Sequence, residues 1–392
     1  MVEFLNRYVS IAKEGSYGSS PGTAIFGEVD DESLETTLEM MSRNDISRQI
    51  AAKIQTGTEY SAGSLNLAMQ VDDFLGMLIH SILPDDKATS GSPNSHQFEA
   101  ASYGSNDRSS DSATSTTVFS TSTAYGIGEY VYYLGDLWRF TATHSAGAWD
   151  ASDAYKIEYP SFTVVVGRED KQHTFTGMMV DKLSLSANIG EYVMLGVDFV
   201  GRAESDVGDL AVPNFDGVAL NALHFANGNV FFSDGGDVSA TASAKVKSIS
   251  FDVSLNRDTD NSYGLGSSTY RTAPASQLME VSGSVEFNEV VYTAVADEPT
   301  YQLMTAEGGL ALLNKAHDGA PVMKLTFAEE DVAANILTIE FSHLQFEAPT
   351  GASVSGRDTN TMSVNFTALM NPLSGRSLSM TLAGANIQTA AY

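Results

Sequence analysis

Between Ser161 and Arg202, apolar and polar residues alternate with a period of two through three successive runs. Phe162, Val164 and Val166 carry the first run. In the second, from His173 to Ala187, Leu183, Leu185 and Ala187 oppose Lys182, Ser184 and Ser186. Val193, Leu195, Val197 and Phe199 carry the third. Such alternation marks antiparallel strands with one packed face and one wet face. A charged loop at Arg168–Gln172 and a turn at Asn188–Gly190 separate them, so the stretch predicts three consecutive strands.

Other segments carry the same signal. From Ser33 to Ser42, Leu34, Thr36, Leu38 and Met40 stand against Glu35, Thr37 and Glu39, which predicts a half-exposed strand with an acidic wet face. Ile54–Gln70 sets Leu65, Leu67 and Met69 against Ser64, Asn66 and Gln70. A helix follows, because Val71, Phe74, Leu75, Leu78, Ile79, Ile82 and Leu83 recur at spacings of three and four. Asp72 and Asp73 suit its positive N-terminus, and Pro84 stops it. His80 reads as a residue of its polar face. Phe215–Leu220 and Ala222–Phe232 read as short strands, with Asn227-Gly228 as a hairpin turn. Asn6–Gly27 is rich in Gly and Ser, without a clear period, and reads as an arm.

From Lys245 the order begins again. Ile249, Phe251, Val253 and Leu255 alternate with Ser248, Ser250, Asp252 and Ser254, as in the strand at Ser33–Ser42. Ser282-Gly-Ser-Val-Glu-Phe287 parallels Ala62-Gly-Ser-Leu-Asn-Leu67. An apolar helical stretch at Pro299–Ala316 follows, and Val322–Phe327, Ile336–Phe346 and Thr361–Leu369 close the series. Strand, strand, helix and three strands therefore occur twice. The predicted fold is mainly β: two tandem β-sandwich domains, each with a helix, plus a small β insertion. The first domain takes residues 1–84 and 160–210, the second 245–392, and 211–244 connect them. Residues 85–117, dominated by Ser, Thr, Asn, Gly and Asp, read as a flexible linker. Residues 118–159 read as a compact aromatic insertion, and removal of 85–159 is expected to leave the remainder intact.

With 392 residues and 43% hydrophobic content, the chain has room for two or three packed domains. No apolar run reaches membrane-helix length, and the N-terminus reads as lacking a secretory signal. Absence of cysteine excludes disulfides and thiolate metal sites. A formal net charge of −28 argues against tight binding of phosphate backbones. It fits either plain solubility or a surface past which nucleic acid moves without sticking.

Catalytic patterns do not emerge. Asp258, Asp260, Ser262 and Gly264 approach a calcium loop, but the glycine is displaced by one and position twelve is Thr269 rather than Glu. The seven histidines are scattered, and His144 and His173 read as surface residues. Carboxylate pairs such as Asp30-Asp31 and Glu329-Glu330 have no distinguishing context. The reading is a non-enzyme without cofactor or metal.

The strand series at Ser161–Arg202, the Glu14-x-x-Tyr17-Gly18 element and the duplicated order together resemble tailed-phage major tail tube proteins. The resemblance covers nearly the whole chain outside 85–159. It implies tail-tube-type domains that join strands into a closed ring of six domain positions, with rings stacked into a hollow tube. Two such domains per chain imply a homotrimeric, pseudo-hexameric ring, though a hexamer remains open. The arm and loops such as Arg257–Ala275 are expected to join rings. Implied partners are other copies, the tape measure protein, the tail terminator, and genomic DNA in transit. The implied location is the virion tail of a siphophage, assembled in the host cytoplasm; a contractile-tail tube would share the fold. Candidates for the lumen lining are Glu35, Glu39, Asp252 and Glu286, which could equally face outer solvent.

Within the insertion, Gly128, Tyr130, Tyr133, Gly135 and Trp138, followed by Trp149 and Tyr155, resemble the small carbohydrate-binding modules of chitinases and similar units of phage tail fibres. That family has Tyr where Trp138 stands. The resemblance implies Tyr133, Trp138 and Trp149 as glycan-stacking candidates and a cell-surface glycan as partner. The alternative is that these rings fill the module's own small core. A competing class for the whole chain is a glycan-binding adhesin, or tail-fibre-like protein, built on tandem β-sandwiches.

Overall fold

The computed structural model describes residues 7–43, 53–100, 117–213, 215, 221–233, 246–266, 269–288, 322–347, 361–370 and 376–392. The first part of the chain forms β1 (Tyr8–Ser16), β2 (Ser19–Pro21), β3 (Ile25–Gly27), β4 (Asp31–Glu32), β5 (Glu35–Arg43), β6 (Lys53–Ala68) and helix α1 (Asp73–His80). Next come β7 (Asp85–Thr89), β8 (Asn94–Glu99), β9 (Thr117–Val118), β10 (Tyr130–Tyr133), β11 (Asp136–Phe140) and β12 (Ala154–Ile157). The central run is β13 (Phe162–Arg168), β14 (Lys171–Asn188), β15 (Met194–Gly201), β16 (Ala203–Asp209) and β17 (Gly228–Ser233). The chain closes with β18 (Val246–Ser254), β19 (Glu280–Phe287), β20 (Val322–Ala328), β21 (Ile336–Phe341), β22 (Leu344–Phe346), β23 (Met362–Ala368) and β24 (Leu378–Gly384). The fold is mainly β.

The period-two runs become strands where expected, and β14 organises them. Its first half pairs with β13 on one edge and β16 on the other. Its second half pairs with β15 and β18. One 18-residue strand therefore belongs to two ladders.

Pairing repeats along the chain. On one side, β4 and β5 run along β6, then come β15 and β14; on the other, β18 runs along β19, then come β23 and β22. β13 lies between β1 and the first half of β14, just as β20 lies between β17 and β21. β16 flanks β14 as β24 flanks β21. Gly63 opposes Phe199 and Gly283 opposes Phe366, at matching places in the two series. The second helix, expected over 299–316, lies outside the described residues.

A single hydrophobic core runs through both series, with α1 embedded in it. Asp72 caps α1 by accepting a hydrogen bond from Leu75 N at 2.8 Å. Every residue from Phe74 to His80 is buried. His80 is consequently an interior residue and not part of a polar face: Tyr155 and Tyr392 enclose the side that water would otherwise occupy.

Several other expectations are corrected. Residues 8–16 form a strand rather than a free arm, paired to β13 and β3 with Val9 and Ile11 in the core. Residues 85–99 of the expected linker form β7 and β8, and β8 pairs with β24 near the far end of the chain. Removal of 85–159 would thus strip two strands from the six-stranded sheet. Asn227-Gly228 is no hairpin turn; Phe225–Asn227 is a 3-10 turn, and β17 pairs with the distant β20. Leu34 packs inside, but Leu38 and Met40 are exposed, because the β5–β6 ladder extends beyond the layer that covers Leu34. His144 is buried and bound to Asp153 Oδ2 at 2.8 Å, and His173 is half-buried against Glu204 Oε1 at 2.6 Å. The role expected of Arg257–Ala275 between rings is not among these corrections: within one chain, Glu59 N of β6 donates to Thr269 O at 3.0 Å and Arg271 lies 4.7 Å from the Tyr60 ring centre.

Candidate functional site

The wet face of the continuous sheet is the main candidate surface. Across the ladder, Ser64 and Asn66 of β6, Asp198 of β15, and Lys182, Ser184 and Ser186 of β14 share that face. It continues through Ser250 and Asp252 of β18, Ser282, Ser284 and Glu286 of β19, and Ser363, Asn365 and Thr367 of β23. The opposite face carries Leu65, Val197, Leu183, Val253, Val281 and Val285, all buried. Strand pleating alone divides the two sets.

All four carboxylates named from the alternation lie on this face. Glu35 stands opposite Ala62, and Glu39 accepts a hydrogen bond from Thr58 at 2.6 Å. Asp252 pairs with Lys182 Nζ at 2.9 Å, and Glu286 with Lys247 Nζ at 2.8 Å. Lys182 stands in a polar position of a strand already recognised, so the same period-two reading could have found it. Lys247 has the parity of the buried Ile249 and Phe251 and reaches Glu286 beside a register irregularity between Val246 and Ser248, which alternation does not show. Asp198 adds a carboxylate whose pKa is raised, first by burial and further by Asp181 and Asp252, against the opposing pull of Lys182. Between the charges the face is mainly hydroxyl and amide, with Ser250 and Ser284 in contact at 3.2 Å. Such a surface offers few cations to a polyanion.

The insertion forms its own four-stranded sheet, β12-β11-β10-β9. On one side Tyr130, Leu137 and Ile157 form a buried cluster with Tyr132 and Tyr155, and Tyr155 meets His80 of α1 edge-on at 6.5 Å between ring centres. Asp85 accepts hydrogen bonds from Tyr130 OH at 2.5 Å and Arg139 Nε at 2.7 Å, and Arg139 Nη2 donates to Asp86 O at 2.6 Å. The other side gathers the three predicted stacking residues. Tyr133 and Trp149 lie face to face at 4.2 Å between ring centres, and Trp138 meets Trp149 edge-on at 5.0 Å. Phe119 adds another edge contact to Trp149 at 5.0 Å. These rings therefore use part of their surface on one another while each stays half-buried.

Sequence reasoning noticed Glu14 without seeing its work. Its carboxylate is buried and accepts from Gly18 N at 2.7 Å, Ser161 Oγ at 2.7 Å, Thr163 Oγ1 at 2.9 Å and Gly177 N at 2.9 Å. The Glu14-x-x-Tyr17-Gly18 element is thus a clasp that binds its own turn to β13 and β14. Gly18 adopts φ +72°, in the region that favours glycine.

Residues 5–368 match the family described as phage tail tube protein. The chain belongs to that family. The Glu14 clasp, the repeated ladder and the long β14 are therefore features of a tail tube family member, which makes this a structural component of a phage tail. No curated protein matches it.

Proposed function

We propose that three copies close into a ring of six domain positions and that rings stack into the hollow tube of a noncontractile phage tail, through which the genome passes. The supporting observation is the pairing of β14 with β18, from Lys182↔Ser254 to Asn188↔Ser248. Here one series hands its ladder to the next within a single chain, and the same handover between chains would close the sheet on itself and leave no open edge. The wet face carrying Glu35, Glu39, Asp252 and Glu286 then lines the bore. There, serine, asparagine and lysine-neutralised carboxylates give DNA no run of cations that would release its counterions and act as a brake. The tape measure protein sits in the bore during assembly in the host cytoplasm, and the tail terminator caps the last ring.

Negative-stain microscopy of the purified chain tests this. Rings of three copies or tubes with an open channel are expected. A uniformly monomeric product that binds polysaccharide would instead favour an adhesin, and a bore with positive potential would remove the passage mechanism. A second reading concerns the insertion alone: the half-buried Tyr133 and Trp149 rings favour contact with a cell-surface glycan from the outside of the tube. Binding of chitin-type or host polysaccharide, lost on Trp149→Ala, is the check.

A further inference from the structure

β4 and β5 continue as one strand along β6 in a single register, with Asp31↔Asn66 and Glu35↔Ala62. Ser33 N donates to Ser64 O at 2.9 Å, so Ser33 faces β6 and the backbone groups of Leu34 point to the opposite edge. In the second series, Phe251 occupies the place of Leu34: each lies against the matching glycine, Gly63 or Gly283. Phe251 uses its outward edge to pair with Leu185 of β14. Among the described residues, no strand pairs with this edge at Leu34. Side chains from this chain fill the position instead. Leu34 N donates to Glu32 Oε2 at 3.1 Å, and Arg168 Nη2 donates to Leu34 O at 2.5 Å. Arg168 also grips Glu32 through two hydrogen bonds, Nε to Oε1 at 2.8 Å and Nη2 to Oε2 at 2.7 Å.

We propose that the Arg168–Glu32 pair is a latch that caps the β4–β5 edge of the free chain and must open when a second copy of this chain adds its strand there. The incoming element is the partner's β22 end of the sheet, since β21–β22 stands to β23 as β14 stands to β15. A bidentate guanidinium–carboxylate pair is well suited to the task. It satisfies both backbone groups that would otherwise template edge pairing, yet it is half-exposed and readily exchanged for a ladder. The consequence is a chain that resists joining its copies until a correctly placed edge competes. This rests on the ring reading above.

The test compares the full-length chain with Arg168→Ala and Glu32→Gln, each shown to be folded by far-UV circular dichroism. Assembly is followed by light scattering and negative-stain microscopy over a concentration series. Both variants are expected to form rings and tubes at about tenfold lower concentration than the unaltered chain. Glu32→Gln keeps side-chain volume, so it serves if Arg168→Ala fails to fold. Tubes that appear at the same or higher concentration in a folded variant overturn the latch and leave the ring reading standing. If no form assembles at any concentration, the ring reading falls and takes the latch with it.

Discussion

Arg139 Nε lies 2.7 Å from Asp85 Oδ1, and both side chains are buried. This contact joins the aromatic insertion to the tube body, with Tyr130 sharing the same carboxylate. Replacing Asp85 with Ala strands a guanidinium and a phenol in a dry interface, so a loss of about 3–5 kcal/mol is expected. Denaturant unfolding measures it, and faster proteolysis of the 117–157 module should accompany the loss. An unchanged midpoint and cleavage pattern would mean that apolar packing at Leu137 and Ile157 suffices.

The Glu14 clasp predicts a second effect. Glu14→Gln keeps the shape but turns charge-assisted hydrogen bonds into neutral ones and places an amide donor against donors. A loss of roughly 2 kcal/mol is expected. Tyr17 packs over Gly177 in the same clasp, so the change should also appear as altered near-UV tyrosine ellipticity.

Asp72 predicts a pH dependence. Burial, assisted by the charges of Asp73 and Glu28, pushes its carboxyl up to about 7, against the opposing hydrogen bonds from Leu75 and Phe74 amides. A carboxyl pKa raised on folding means that the native state holds the proton more tightly than the unfolded state. Its favourable contribution is therefore complete below the unfolded pKa and declines as pH rises towards about 7. Asp72→Asn keeps the cap without the charge. It should stabilise the chain by a few kcal/mol at alkaline pH, the scale set by a carboxyl raised from its ordinary 3.8 to about 7, and change little in acid. Equal effects in both buffers in denaturant titrations would refute the assignment.

Gly283 predicts a steric limit. A methyl group there would sit 2.4 Å from Ser250 O and 2.6 Å from the Phe366 ring. Gly283→Ala should cost about 1–3 kcal/mol by forcing β18 and β19 apart. Gly63 has an equivalent clash with Ser33 O at 2.4 Å and also holds φ +149°, so Gly63→Ala should cost more than Gly283→Ala. Thermal melts of the two variants give the comparison.

Much of the ladder was legible in the order of residues. Val164, Leu185, Val197 and Phe251 face the core, as their alternation required. The Gly63 and Gly283 segments align because both need a residue without a side chain where a neighbouring strand closes in, with the Phe366 ring adding to the crowding at Gly283. The same alternation placed Glu35, Asp252 and Glu286 on one wet face. It did so because side chains on successive strand residues point to opposite sides whatever the partner strand is.

Partnership was another matter, and here only tertiary structure decided. β7 and β8 look like a polar connector, yet Asp86 and His96 are buried because each finds its partner in the other and in Tyr392 or Gln388. β1 looked like a loose arm until β13 supplied its ladder. His80 looked solvated until Tyr155 and Tyr392 closed over it. A period along the chain records which side of a strand is dry. It carries no information about which residue a hundred or more positions away will satisfy a buried polar group, and that pairing is what turned linker, arm and polar face into interior.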